Sequence, residues 1–198
     1  LMLTTWFQVQ HWRNSIAFYK HMTESVTDNV FAYDGLGLAL ANRGKLSEAV
    51  VYFREAIRIN PDYGNAHNNL GRVLLKQGKV TEAVLHFEKA LEIKPDDAKA
   101  CNNLGVALAG QGKMSEALVH FQKAVRIKPD YAMAHYNLAK VLKQKGKMED
   151  AIVHLQKAIS VKPDYADAHY NLANLFVTLG RNREAILHFQ NVLRLKPN

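Results

Sequence analysis

The sequence predicts an all-α chain organised as a solenoid of stacked helical hairpins. Three observations carry that prediction. Every proline falls on one clock, at Pro61, Pro95, Pro129, Pro163 and Pro197, with a constant spacing of 34. Gly44, Gly78, Gly112, Gly146 and Gly180 keep the same interval. Between these markers, apolar and small residues recur at three- and four-residue steps, the signature of amphipathic helices. A fixed period of this length points to repeated supersecondary units that bury one another's faces, rather than to a domain with a single centre.

Within one period the pattern gives two helices. Ala66, Leu70, Val73 and Leu74 form the apolar stripe of the first, and Ala83, Val84, Phe87 and Leu91 that of the second. Gly78 between them can adopt a left-handed backbone and so close the first helix. Ser47, Thr81 and Ser115 are expected to cap the second helices, and the prolines to stop them. Asp62, Asp96, Asp130 and Asp164, which follow the prolines, are expected to cap the next first helices. Small residues (Gly71 and Ala83, Gly105 and Ala117, Ala139 and Ala151) let the two helices of a pair approach. Phe53, Phe87, Phe121, Leu155 and Phe189 fill the space alongside.

Composition agrees with a packed, helical chain. Of 198 residues, 48% are apolar, enough to bury a core, and no run approaches the roughly 20 apolar residues of a membrane-spanning helix. The single cysteine, Cys101, excludes an intramolecular disulfide framework and reads as a small apolar residue inside a helix. The net charge of +8 is uneven: residues 1–63 carry 6 Lys/Arg and 6 Asp/Glu, and the rest carry 20 and 12. That surplus favours acidic partners. The chain opens in the apolar stretch LMLTTWF, without the basic flank or length of a signal peptide, and reads as a piece of something longer.

The order of Leu, Gly or Ala, then Gly, Ala, aromatic, Ala and Pro within each period resembles the tetratricopeptide repeat. The resemblance divides the chain into units 30–63, 64–97, 98–131, 132–165 and 166–198, and implies a right-handed superhelical solenoid. The family's frequent first-helix tryptophan is replaced by Tyr33, His67, Cys101, His135 and His169, which softens the packing there. Residues 1–29 fit as a degenerate, truncated sixth unit: a shift of 68 aligns Ser15 with Ala83, Tyr19 with Phe87, Met22 with Ala90 and Thr27 with Pro95. The stretch FQVQHWRNSIAFYKHMTESVTDN also resembles the junction between membrane spans and repeats in bacterial polytopic proteins related to transmembrane-and-tetratricopeptide-repeat O-mannosyltransferases. If that holds, the domain is extracytoplasmic, on the periplasmic side of an inner membrane; otherwise it is cytoplasmic.

The family resemblance places the inner surface on the second, fifth, sixth, ninth and twelfth residues of each unit. The sixth position carries Asn69, Asn103, Asn137 and Asn171, with Gly35 breaking the series. Such a ladder resembles the one in the repeat region of O-linked N-acetylglucosamine transferases, where it holds peptide. An asparagine offers a donor and an acceptor to a peptide backbone, and equally to a neighbouring helix. Around the ladder stand Arg72, Lys99, Lys140 and Lys143, with Tyr136 and Tyr170 at fifth positions. Cations and tyrosines on one face suit an extended acidic or aromatic-containing peptide. The partner expected is therefore a protein or peptide, with self-association through the uncovered last hairpin as an alternative.

Other functions find less support. The family's carboxylate clamp requires lysine where Asp34, Asn68 and Asn102 stand. His86, His120, His154 and His188 recur on the same clock as the prolines, a row spaced by whole helix pairs that cannot converge on one ion, so no metal or other cofactor is expected. No phosphate loop, nucleophile elbow or zinc-helix motif appears, so no catalytic residue is assigned. The basic residues sit in Gly-Lys and Lys-Pro junctions without a nucleic-acid motif, despite a pI of about 9.5.

Overall fold

The computed structural model describes residues 15–26 and 28–195, and the described residues are helical with no strands. The chain divides into two compact units, Leu1–Asp96 and Asp97–Asn198. The first contains α1 (described over 15–25), α2 (Val30–Asn42), α3 (Leu46–Ile59), α4 (Gly64–Lys76) and α5 (Val80–Ile93). The second contains α6 (Ala98–Gly110), α7 (Met114–Ile127), α8 (Ala132–Gln144), α9 (Met148–Val161), α10 (Ala166–Thr178) and α11 (Asn182–Leu195). In each unit successive helices form hairpins that stack on the next: α2–α3 on α4–α5, and α6–α7 on α8–α9 on α10–α11. First helices also meet one another, α2 with α4 and α6 with α8.

Two kinds of glycine make this geometry. Gly78 and Gly112 have φ of +77° and +78°, and a Cβ added there would meet nothing within 4 Å. The requirement is thus the left-handed backbone, which ends the first helix and returns the Lys79 and Lys113 N–H groups to the carbonyls of Leu74 and Leu108 at 2.9 and 3.0 Å. Gly71 and Gly105 are needed for space instead. A Cβ on either would lie 2.7 Å from the ring of Phe87 or Phe121. Gly37 stands in the same relation to Phe53, at 2.6 Å. These rings are buried, as are Leu155 and the alanines one turn away, and a fully buried side chain of this size contributes roughly 1.5–3 kcal/mol by leaving water. Where α8 carries Ala139, its partner is the smaller Leu155 rather than phenylalanine. Phe189 is only half-buried.

The expected caps are corrected by the structure. The N-cap positions of α3, α5 and α7 are Lys45, Lys79 and Lys113, without a side-chain bond, and Ser47, Thr81 and Ser115 lie inside the first turn. The tight turn brings the helix in immediately after the lysine, so the hydroxyls come too late in the chain. Asp62, Asp96, Asp130 and Asp164 are instead one residue too early: the caps are Tyr63, Asp97, Tyr131 and Tyr165. Of these only Asp97 caps with its side chain, accepting from Lys99 and Ala100 N–H at 2.8 and 3.0 Å. Asn29 does the same for α2 through Ala32 N–H.

Tyr19 of α1 packs on Gly35 so closely that a Cβ added to the glycine would run into its ring. Residues 1–14, Thr27 and the last three, with the apolar opening stretch and Pro197, lie outside the described residues. Among the described residues no helix is long and apolar enough to cross a membrane.

Candidate functional site

The expected site residues fall in both units. Asn69 and Arg72 are on α4 of the first. Lys99 and Asn103 are on α6, Tyr136, Asn137, Lys140 and Lys143 on α8, and Tyr170 and Asn171 on α10 of the second. The asparagine ladder is anchored to its neighbours. Asn69 Nδ2 donates to Asp34 Oδ1 at 2.9 Å, Asn137 Nδ2 to Asn102 Oδ1 at 2.9 Å, and Asn171 Nδ2 to the Tyr136 hydroxyl at 3.1 Å and the Asp167 carbonyl at 2.8 Å. The bonds to Asp34, Asn102 and Tyr136 each run from the sixth position of one hairpin to the fifth of the one before. They tie first helices together at the cost of only part of each amide. Asn137 keeps its second amide proton and its carbonyl oxygen for another group, while Asn171 spends both protons and keeps the oxygen.

Burial sets the charge at the first rung. Asp34 is 7% exposed, and desolvation pushes its carboxyl above the usual aspartate range, opposed by the Asn69 hydrogen bond. The equivalent rung in the second unit replaces the carboxyl by the amide of Asn102, itself 1% exposed. Arg72 Nη1 reaches Asn69 Oδ1 at 3.5 Å.

Between the first helices of each unit lies a cleft, and the two clefts are built from equivalent positions two repeats apart. In the first unit Leu38, Asn42, Phe53, Asn69 and Arg72 leave about 20 Å³. In the second, Val106, Gly110, Phe121, Asn137 and Lys140 leave about 290 Å³. Four equivalent lining positions carry shorter side chains in the second cleft: Val106 for Leu38, Gly110 for Asn42, Lys140 for Arg72 and Gln144 for Lys76. The floor is apolar, and Asn137, Lys140 and Gln144 ring it with polar groups.

The structure thus brings together Tyr136, Asn137, Lys140 and Asn171. Lys140 Nζ lies 5.7 Å from the centroid of the Tyr136 ring, which also packs on Tyr165 at 5.1 Å. Burial first, then the neighbouring Tyr136, pushes the Tyr165 hydroxyl up to about 12. Lys99, Lys143 and Tyr170 share these first helices without joining that cluster; Tyr170 instead meets Phe189 edge-on. Lys99, Lys140 and Lys143 take part in none of the ion pairs among the described residues, which involve other, largely exposed side chains.

The second-helix histidines hold a relation that the sequence did not disclose. His86, His154 and His188 face His67, His135 and His169 across their hairpins, Nδ1 to Nδ1 at 3.1, 2.9 and 2.9 Å. Nε2 of each first-helix histidine lies 2.9–3.1 Å from the carbonyl of Pro61, Pro129 or Pro163. Tyr33 and Tyr52 pair at the same positions of α2–α3, so four of the hairpins hold a ring pair where the family's tryptophan is replaced. Among the described residues no group of three or more His, Cys, Asp or Glu could hold a metal ion.

Family models described as TPR repeat match 108–146 and 140–180, and others described as tetratricopeptide repeat match 35–98 and 166–198. No curated protein sequence matches the chain significantly. Among solved structures, pilF of Pseudomonas aeruginosa superposes with a TM-score of 0.80 at 24% identity, over 85% of this chain and 77% of that one. YrrB, described as a TPR protein with an unusual peptide-binding site, gives 0.69 at 20%, covering 91% and 93%. TTC0263, a thermophilic TPR protein of Thermus thermophilus, gives 0.69 at 26%, covering 85% and 92%.

Proposed function

Since the chain belongs to the tetratricopeptide-repeat family, a scaffold suited to protein interaction, we propose that its second unit binds an extended, acidic or aromatic-containing peptide along α6, α8 and α10. The observation that carries this reading is the open cleft of about 290 Å³ beside Asn137 and Lys140. An apolar cavity of about 150 Å³ holds a benzene ring, and small-molecule sites run from about 300 Å³ upward. The cleft is therefore sized for one or two peptide side chains. Asn137 and Asn171 retain amide valences for a peptide backbone, and Lys99, Lys140 and Lys143 supply the charge that draws an acidic segment. Tyr136 and Tyr170 add contact area. Asn103 extends the same surface along α6, and Asn69 with Arg72 offers the first unit a contact of the same kind.

The five units 30–63, 64–97, 98–131, 132–165 and 166–198, preceded by a degenerate one, are part of the same reading. No catalytic step is assigned to this domain. The resemblance of 7–29 to the junction in O-mannosyltransferase-related membrane proteins supports a further reading, in which the repeats form the extracytoplasmic part of such a protein and present its substrate. Membrane spans encoded upstream would support that reading, and a gene without them would remove it.

The test is a peptide array probed with the chain and with a Lys140→Glu/Lys143→Glu variant. The reading predicts capture of sequences pairing an apolar or aromatic residue with nearby acids, and loss of that capture on charge reversal. Unchanged capture would refute it.

A further inference from the structure

We propose that copies of this chain bind one another through their second helices, the acidic face of α5 in one copy meeting the basic face of α7 and α9 in another. The starting point is a row of aliphatic side chains that the core does not use. Val51 and Leu85 in the first unit, and Val119, Val153 and Leu187 in the second, occupy one position of each second helix, and all are 59–63% exposed. Aliphatic residues exposed singly are ordinary on a protein surface. Here the same place is aliphatic and bare in every hairpin from α2–α3 to α10–α11. The residue just before it turns inward in two of them, Val84 and Ile152 being 9% and 4% exposed. The row therefore stands outside the hairpin cores, on helices other than those that carry the asparagine ladder.

Charge selects a second copy as the occupant. In α5, Glu88 and Glu92 follow Leu85 by three and seven residues, so they lie on its side of the helix, and Glu82 precedes it by three. The one lysine there, Lys89, is paired with Glu92 at 3.0 Å. At the places of Glu88, Lys89 and Glu92, α7 has Gln122, Lys123 and Arg126, and α9 has Gln156, Lys157 and Ser160. Beyond the first turn neither α7 nor α9 contains an acid. In those first turns Glu149 meets Arg181 at 3.8 Å and Asp150 stands beside His154, with Glu116 at the place of Asp150. The other second helix of the first unit, α3, is balanced, since Arg54 and Arg58 meet Glu82, Glu55 and Asp28. Glu88, Lys123, Arg126 and Lys157 take part in none of the ion pairs among the described residues.

The two faces thus complement each other and not themselves. Two basic faces of second units repel, whereas Glu88 and Glu92 against Lys123 and Arg126 attract, with the aliphatic row covered between them. An apolar centre with charge at its rim is the ordinary anatomy of a protein–protein contact. The contact joins unlike surfaces, so it produces either a closed pair or an open row of copies. It is independent of the peptide cleft and of the last hairpin.

The test is sedimentation velocity of the intact 1–198 chain from about 5 to 500 µM, a range that spans weak to moderate association. Mass should grow beyond the monomer and growth should weaken at high salt. Glu88→Lys with Glu92→Lys, or Lys123→Glu with Arg126→Glu, should each weaken association at least tenfold. An equimolar mixture of the two variants should restore it, because each then offers the charge that the other lacks. Val119→Gln with Val153→Gln should weaken it similarly, and decides the matter if a charge variant fails to fold by circular dichroism. A chain that stays monomeric throughout would leave the rows to a different protein and overturn the proposal. So would association that the charge variants do not weaken, or that their mixture does not restore.

Discussion

Replacing Gly105 by alanine tests how the hairpins are packed. The new Cβ would stand 2.7, 2.9 and 3.0 Å from three ring atoms of Phe121, which is 2% exposed and could relieve the clash only by moving toward the cleft that it lines. Overpacking a closed core costs roughly 1–3 kcal/mol, while the helix gains about 1 kcal/mol when glycine becomes alanine. The net loss should be about 1 kcal/mol, toward 2 if the ring cannot shift. Phe121→Leu alone should also destabilise, by about 1–2 kcal/mol, because it leaves a void beside the glycine. The hairpin α8–α9 already contains the combined solution, Ala139 against Leu155. The double variant should therefore lose less than the sum of the single losses, with a coupling of about 1 kcal/mol. Urea denaturation with matched m values measures all four chains. Additivity within about 0.3–0.5 kcal/mol would refute the steric account.

Three further outcomes follow from the site. Val106→Leu with Gly110→Asn gives the second cleft two of the larger side chains of the closed first one, and should weaken peptide binding at least about tenfold by calorimetry while leaving the melting midpoint nearly unchanged. Asp34→Asn, which copies Asn102, should stabilise the chain at pH 7. The folded carboxyl lies above its unfolded value, so its charged form is penalised when folded; the gain should shrink as pH falls through the folded value and vanish below the unfolded one near 3.8. The histidines act in the opposite direction. Their folded values are depressed by burial, so as pH falls through the ordinary 6.5 the unfolded chain takes up protons first, and stability present above that value should be lost progressively below it in thermal melts. A flat profile would contradict the burial of the pairs.

The repeat clock and the helical stripes carried the fold, because turn glycines and helix-ending prolines act locally and leave their mark in the chain itself. Cap positions were misplaced, since hydrogen-bond reach at Ser47 or Asp62 depends on turn geometry that residue type does not encode. At the site, the sixth-position asparagines were legible as a series and a bond to a neighbouring helix as one of their two uses, but the acceptors Asp34, Asn102 and Tyr136 were not. Those bonds join neighbouring hairpins and depend on how the hairpins stack. The open cleft was hidden for a related reason: Val106 and Gly110 look ordinary until set beside Leu38 and Asn42 in equivalent places. The histidine pairs left a signal that spacing could have found. His67 and His86, His135 and His154, and His169 and His188 are separated by the same interval, with a proline a fixed distance before the first member. Each histidine series was visible by itself, but only the hairpin seam shows that they face one another.

The most direct test is backbone-amide mapping of the intact chain with the tightest acidic peptide from the array. Peptide binding to the second unit predicts shifts at Val106, Gly110, Asn137, Lys140 and Asn171, on α6, α8 and α10, that disappear in the cleft-closing variant. Shifts confined to the second helices α7, α9 and α11, unaffected by closing the cleft, would contradict it.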